Sequence, residues 1–158
     1  MRKNIFLPIL LMAMWLLVGA ASCGVDIETS DNGDLDGFWH LERVDSLATQ
    51  KTVDYSGKRI FWGVQAKLLN VRDVDKDGRL GYLLRFSQTS DSLILSSPYK
   101  FNWHENEQSE GGDIPVENVE ELRPYGINGL EEHYYKEALS GGKMILRSKT
   151  LRLEFRKF

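Results

Sequence analysis

The chain has 158 residues, with 20 basic against 23 acidic side chains and a formal net charge of −3. That balance argues against a nucleic-acid binder, whose phosphate partner demands a basic face, and against electrostatic docking to anionic lipid heads. A single cysteine rules out an internal disulfide.

The amino terminus is built like an export leader. Arg2 and Lys3 form a short positive region, residues 5–18 run without a charge, and Gly19-Ala20-Ala21-Ser22 supplies small residues that a signal peptidase accepts in extended form. The apolar run falls short of the ~20 residues that span a bilayer, so residues 1–22 are read as a cleaved leader. Ala20-Ala21-Ser22-Cys23 resembles a lipobox, where bacteria attach diacylglycerol to a cysteine thiol and then cleave before it; Ala20 stands where Leu is usual. The resemblance implies that Cys23 is the lipid-attachment residue. It also implies an outer-membrane lipoprotein facing the periplasm or the cell surface. Each buried acyl CH₂ contributes ~0.8 kcal/mol, and stable anchoring takes more than one chain.

Residues 23–36 read as an acidic flexible tether, since Asp26, Glu28, Asp31, Asp34 and Asp36 lie among Gly, Ser, Thr and Asn with little apolar surface to bury. What remains, residues 37–158, is enough for one domain with one core.

From Gly37 onward apolar and polar residues alternate with period two, the pattern of a sheet wet on one face. Strands are expected over residues 38–47, over 58–71 as one long strand or two joined at a bend with Gly63 as a bulge, and over 79–87. Two more follow at 92–97 and 99–103, split by Pro98, which cannot donate to a ladder. Residues 102–114 form a long acidic loop, read as a rim or lid over a barrel mouth, and 115–123 a short helix stopped by Pro124 and Gly126. A meander closes the chain at 133–139, 143–148 and 150–157. Residues 130–139 also fit helical spacing, but Tyr134-Tyr135 and the Gly141-Gly142 turn favour a strand. Eight or nine short strands with regular turns predict an all-β barrel or sandwich.

Gly37-Phe38-Trp39 resembles the Gly-x-Trp signature on the first strand of lipocalins. Together with 59–62, 65–70, Tyr125-Gly126-Ile127 and 151–158, it is similar to the lipocalin-like domain of Bacteroides-type envelope lipoproteins, over residues 35–158. The resemblance implies a single antiparallel up-and-down barrel of about eight strands with one short helix. It also implies that Gly37 and Trp39 close one end, Trp39 packing under Arg152 or Arg156 of the last strand. It implies no particular ligand.

Candidate chemistry is sparse. Asp73, Asp75, Asp77 and Gly78 copy the opening of a calcium loop, but position twelve is Leu84 where a bidentate Glu is needed, so a hairpin turn is the stronger reading. His40, His104 and His133 lack ligand spacing. No hydrolase elbow or phosphate loop is present in the sequence, no cofactor is expected, and the chain is not read as an enzyme. Among the aromatics, Trp62, Trp103 and Tyr125 lie near bends or the long loop and are the candidates to line an opening. Two functions compete. One is the binding of a small apolar or glycan-like ligand at the barrel mouth; the other is a non-catalytic scaffold or interaction subunit touching another envelope protein.

Overall fold

Period-two alternation puts one face of each segment against a core and the other in water. In the computed structural model, which describes residues 30–77, 81–102 and 112–158, it produces ten strands. They are β1 (Gly37–Ser46), β2 (Thr52–Asp54), β3 (Ile60–Gln65), β4 (Leu68–Asp73), β5 (Tyr82–Gln88), β6 (Ser92–Lys100), β7 (Ile114–Pro115), β8 (Glu132–Leu139), β9 (Lys143–Arg147) and β10 (Leu151–Lys157). Eight of them pair antiparallel in chain order, β1-β3-β4-β5-β6-β8-β9-β10, and β10 returns to β1. The sheet is therefore a closed up-and-down barrel of eight strands. The short strands β2 and β7 add to the sides of β1 and β6. No helix among the described residues is long and apolar enough to cross a membrane.

Large side chains fill the barrel. Trp39, Trp62, Tyr134, Phe155, Leu84 and Leu95 each keep 2% or less of their surface exposed. A side chain bordering a water-sized void would retain more, so these residues pack against one another with no ligand-sized space between them. The Trp62 ring lies 4.8 Å from Phe155 and meets Tyr134 edge-on at 5.9 Å.

Both ends are stopped. At one, a 3-10 turn (Gly33–Leu35) drives Leu35 into the core. The Trp39 indole N–H donates to the Leu35 carbonyl at 2.8 Å. At the other, two abutting 3-10 turns (Val119–Glu121 and Arg123–Tyr125) carry Leu122 and Tyr125 into the same core.

Several expectations change. The segment read as a tether over 23–36 is partly folded: Ser30 to Asp36 belong to the barrel. Ser30 and Asn32 bond the Ala66 amide and carbonyl, each at 2.6 Å, because Leu35 needs its turn held over the barrel end. Neither Arg152 nor Arg156 covers Trp39. Parity decides this, since β10 points Leu153, Phe155 and Lys157 to the Trp39 side and the two arginines outward. Lys157 instead lies 4.9 Å over the Trp39 ring and donates to the Asp34 carbonyl at 3.2 Å. The same lysine explains Gly37, where φ is +123° and a Cβ would sit 2.7 Å from Lys157 Cε.

Residues 58–71 are two strands joined by a hairpin turn at Ala66, and Gly63 sits in regular register without a bulge. Pro98 does not split β6. There Ser97, at φ 48°, and Pro98 together oppose Leu84 alone, a bulge that removes the need for the missing donor. The short helical segment begins at Val119, not at 115, because Pro115 is already paired with Tyr99. Residues 132–139 are a strand, as their aromatics favoured.

Leu35→Ala tests whether the amino-terminal turn belongs to the core. It should cost about 2–4 kcal/mol, read as a lower urea midpoint, whereas a residue in a free tether would cost almost nothing.

Candidate functional site

Trp62 and Tyr125, expected at an opening, do come together, but inside. The Trp62 indole N–H donates to the Tyr125 carbonyl at 3.0 Å, and both residues are buried. They anchor the end plug and do not line a mouth. Tyr134 supports the same segment, its hydroxyl donating to the Gly126 carbonyl at 2.7 Å. Trp103, His104, Cys23 and most of the 102–114 loop lie outside the described residues.

The calcium-like sequence is the turn leaving β4, and its carboxylates are occupied by that turn. Asp73 Oδ1 accepts from the Asp75 amide at 3.1 Å, and Asp77 Oδ2 accepts from the Asp73 amide at 2.7 Å. Asp75 pairs with Arg59 at 2.9 Å. Asp77 also accepts the Tyr125 hydroxyl, which latches the turn to the end plug. Burial and the Asp77 carboxylate hold the Tyr125 phenol well above the ordinary tyrosine range. Beside it Tyr82, 5.5 Å away ring to ring, donates to Glu121 at 3.0 Å. Burial and that carboxylate push the Tyr82 phenol up to about 12. No group of three or more His, Cys, Asp or Glu among the described residues is arranged to hold a metal ion. His40 is a packing residue, bonded to Glu42 at 2.8 Å and to the Lys58 carbonyl at 2.6 Å. Exposed His133 pairs with Glu131.

With the interior filled, concave surface lies on the outer wall. A groove of about 700 Å³ crosses β1, β3, β4 and β5 on the solvent side. Gly63 lies under the Phe38 ring, which an added Cβ would meet at 3.3 Å. Phe38, Leu68 and Leu83 form the groove's walls, Arg72 stands at one end, and Ser30 and Asp36 stand at another. It shares Phe38 and Arg72 with a neighbouring hollow of about 380 Å³, and Leu68 and Leu83 with one of about 350 Å³ reaching Tyr99. Phe38 stacks on Phe61 at 4.7 Å, and Phe158 meets both edge-on.

These wall residues escaped the sequence reading, although a signal was there. Phe38, Leu68 and Leu83 are each adjacent to a core residue (Trp39, Leu69 and Leu84), so they must face the other way. Apolar residues on the wet parity of three neighbouring strands mark an outer surface with work to do.

A family model described as the lipocalin-like domain matches residues 15–158. The chain belongs to the lipocalin-like domain family. Two solved structures share this fold. A lipocalin-like protein from Bacteroides uniformis is 21% identical, covering 80% of this chain and all of its own, with a TM-score of 0.56. An uncharacterized protein from Bacteroides eggerthii is 20% identical, covering 78% of this chain and 98% of its own, with a TM-score of 0.54. Among curated proteins none matches the sequence. The lipocalin-like fold is one that typically binds and does not catalyse.

The latch is testable by a double-mutant cycle. Tyr125→Phe and Asp77→Asn should each cost about 1.5–3 kcal/mol, as loss of a bond to a charged partner does. The double variant should cost little more than either alone; fully additive losses in urea melts would show no coupling. Asp36 gives a pH test. Burial raises its pKa, but hydrogen bonds from Ser30 and Asn32 outweigh that and hold it below the usual carboxylate range. Its contribution is then present above the unfolded aspartate value of about 3.9 and is lost as pH falls below it. Asp36→Asn should flatten the acid limb of a stability-against-pH curve and leave no slope of its own near neutrality.

Proposed function

We propose that this chain is a lipid-anchored envelope protein whose barrel binds a small, mostly apolar ligand on its outer wall. The observation that carries the ligand reading is the groove of about 700 Å³, lined by apolar Phe38, Leu68 and Leu83 with Asn70 between them and further polar groups at its margins. That size and lining are those of ligand sites in general, which run to roughly 300–1,000 Å³. The reading takes the contact residues away from Trp62 and Tyr125, which the plug consumes. No catalysis is assigned.

The anchor reading rests on the sequence alone: leader 1–22, small residues up to Ser22, then the sole cysteine at Cys23. It puts the protein at the outer membrane, on the periplasmic or the outer side. Six residues lie between Cys23 and Ser30, so even fully extended the seven steps reach about 25 Å, and the barrel stays close to the bilayer. A second reading, a non-catalytic scaffold for another envelope protein, draws on the filled interior and on exposed Tyr135 and Phe158.

Two measurements test this. Cys23→Ala should leave the membrane fraction or stall as unprocessed precursor; a variant that keeps mature size and stays with membranes would overturn the anchor. Native mass spectrometry of the mature protein from its host should find a small co-purified mass that Leu83→Ser loses. Bare protein in both would favour the scaffold.

A further inference from the structure

We infer that the outer groove is the seat of the chain's own residues 24–29, the segment that follows Cys23. The inference goes beyond the ligand reading, because a ligand in this groove has to displace that segment.

The point of entry is the first ground. Ser30 stands at the margin of the groove, and its hydroxyl accepts the Ala66 amide at 2.6 Å. Asn32 fixes the same turn by donating to the Ala66 carbonyl at 2.6 Å. The chain is thus pinned where the β3–β4 hairpin turns, and the residues before Ser30 start from one end of the groove. From Leu68 to Arg72 the wall runs about 13 Å at ~3.3 Å per residue. Six residues at the same rise span about 20 Å, enough to follow its length.

Complementarity is the second ground. Residues 25–28 read Val-Asp-Ile-Glu, apolar and acidic side chains in alternation. Extended, they turn Val25 and Ile27 to one face and Asp26 and Glu28 to the other. The wall matches both. Phe38, Leu68 and Leu83 offer apolar contact, and Asn70 between them suits a backbone with its own amides better than an unbroken hydrocarbon. Exposed Lys67 and Arg85 flank Leu68, and Arg72 stands at the far end. None of these three cations makes an ion pair among the described residues. The carboxylates nearby do not serve them: Asp36 is bonded to Ser30 and Asn32, and Asp113 lines the hollow of Arg85 without pairing to it. Lys67 and Arg85 have stems long enough to reach Glu28 from the margins.

The seat does not have to be tight. Exposed ion pairs contribute little each, but the segment is joined directly to Ser30. A short connection gives an effective concentration in the millimolar range. A separate peptide of the same sequence with a Kd of about 1 mM would therefore, once attached, be seated for about half the time.

The test uses the full chain, made with its leader in its host and recovered with Cys23 in place. Ile27→Cys is combined with Leu83→Cys in the groove, or with Lys143→Cys on β9 across the barrel as the comparison. After mild oxidation the disulfide-linked peptides are quantified by mass spectrometry. The Leu83 pair should link at least about fivefold more than the Lys143 pair, and adding Glu28→Lys should lower its yield about fivefold. Arg85→Glu on top of Glu28→Lys should restore it, which a merely misfolded variant would not. Equal linking across both walls, no link to the groove, or a yield indifferent to the charge swap would each overturn the proposal. A co-purified small mass without the groove link leaves the groove to a ligand and refutes this inference. The link without such a mass upholds it and removes the ligand reading.

Discussion

The pairing of β10 with β1 closes the sheet, and most of the molecule follows from it. Closure of eight strands leaves an interior that side chains can just fill, and here Trp39, Trp62, Tyr134 and Phe155 fill it. It also consumes the backbone hydrogen bonds of the barrel wall, so the protein offers partners side chains and few free strand edges. A binding surface on such a body has to be made from what points outward.

The ends show how the closed body is held. At one, Leu35 enters the core while Lys157 reaches over Trp39 to Asp34, so the first and last strands are joined by a side chain as well as by their ladder. At the other, the segment carrying Leu122 and Tyr125 is pinned by Trp62, Tyr134 and Asp77. Residues that looked like candidates for chemistry, the Asp73–Asp77 carboxylates and the Trp62 and Tyr125 aromatics, spend their polar groups on this closure. The acidic turn therefore serves as a latch.

On the outer wall the balance is different. Arg152 is satisfied by Asp45, Glu137 and Glu154, and Arg156 by Glu42. Arg72, by contrast, meets an aromatic face and no carboxylate among the described residues.

The sequence by itself determined the class of the fold. Period two from Gly37 to Phe158, turn residues at short intervals and Gly37-x-Trp39 were enough for an antiparallel barrel, since strand parity is a local property that each segment states alone. Parity also held what was needed to turn Arg152 and Arg156 outward and to bring Lys157 over Trp39. Leu35, alone in an acidic stretch, gave no local sign that a turn would carry it into the core. Only the tertiary structure decided whether the barrel is hollow. That depends on how Trp62, Phe155 and Tyr134, far apart in the chain, share one volume, and on a plug whose short 3-10 turns have no strong periodicity. The groove was likewise decided by register, because only the pairing of Phe38 with Gly63, of Gly63 with Asn70 and of Asn70 with Leu83 brings Phe38 and Leu83, distant in the chain, to one row of the outer wall.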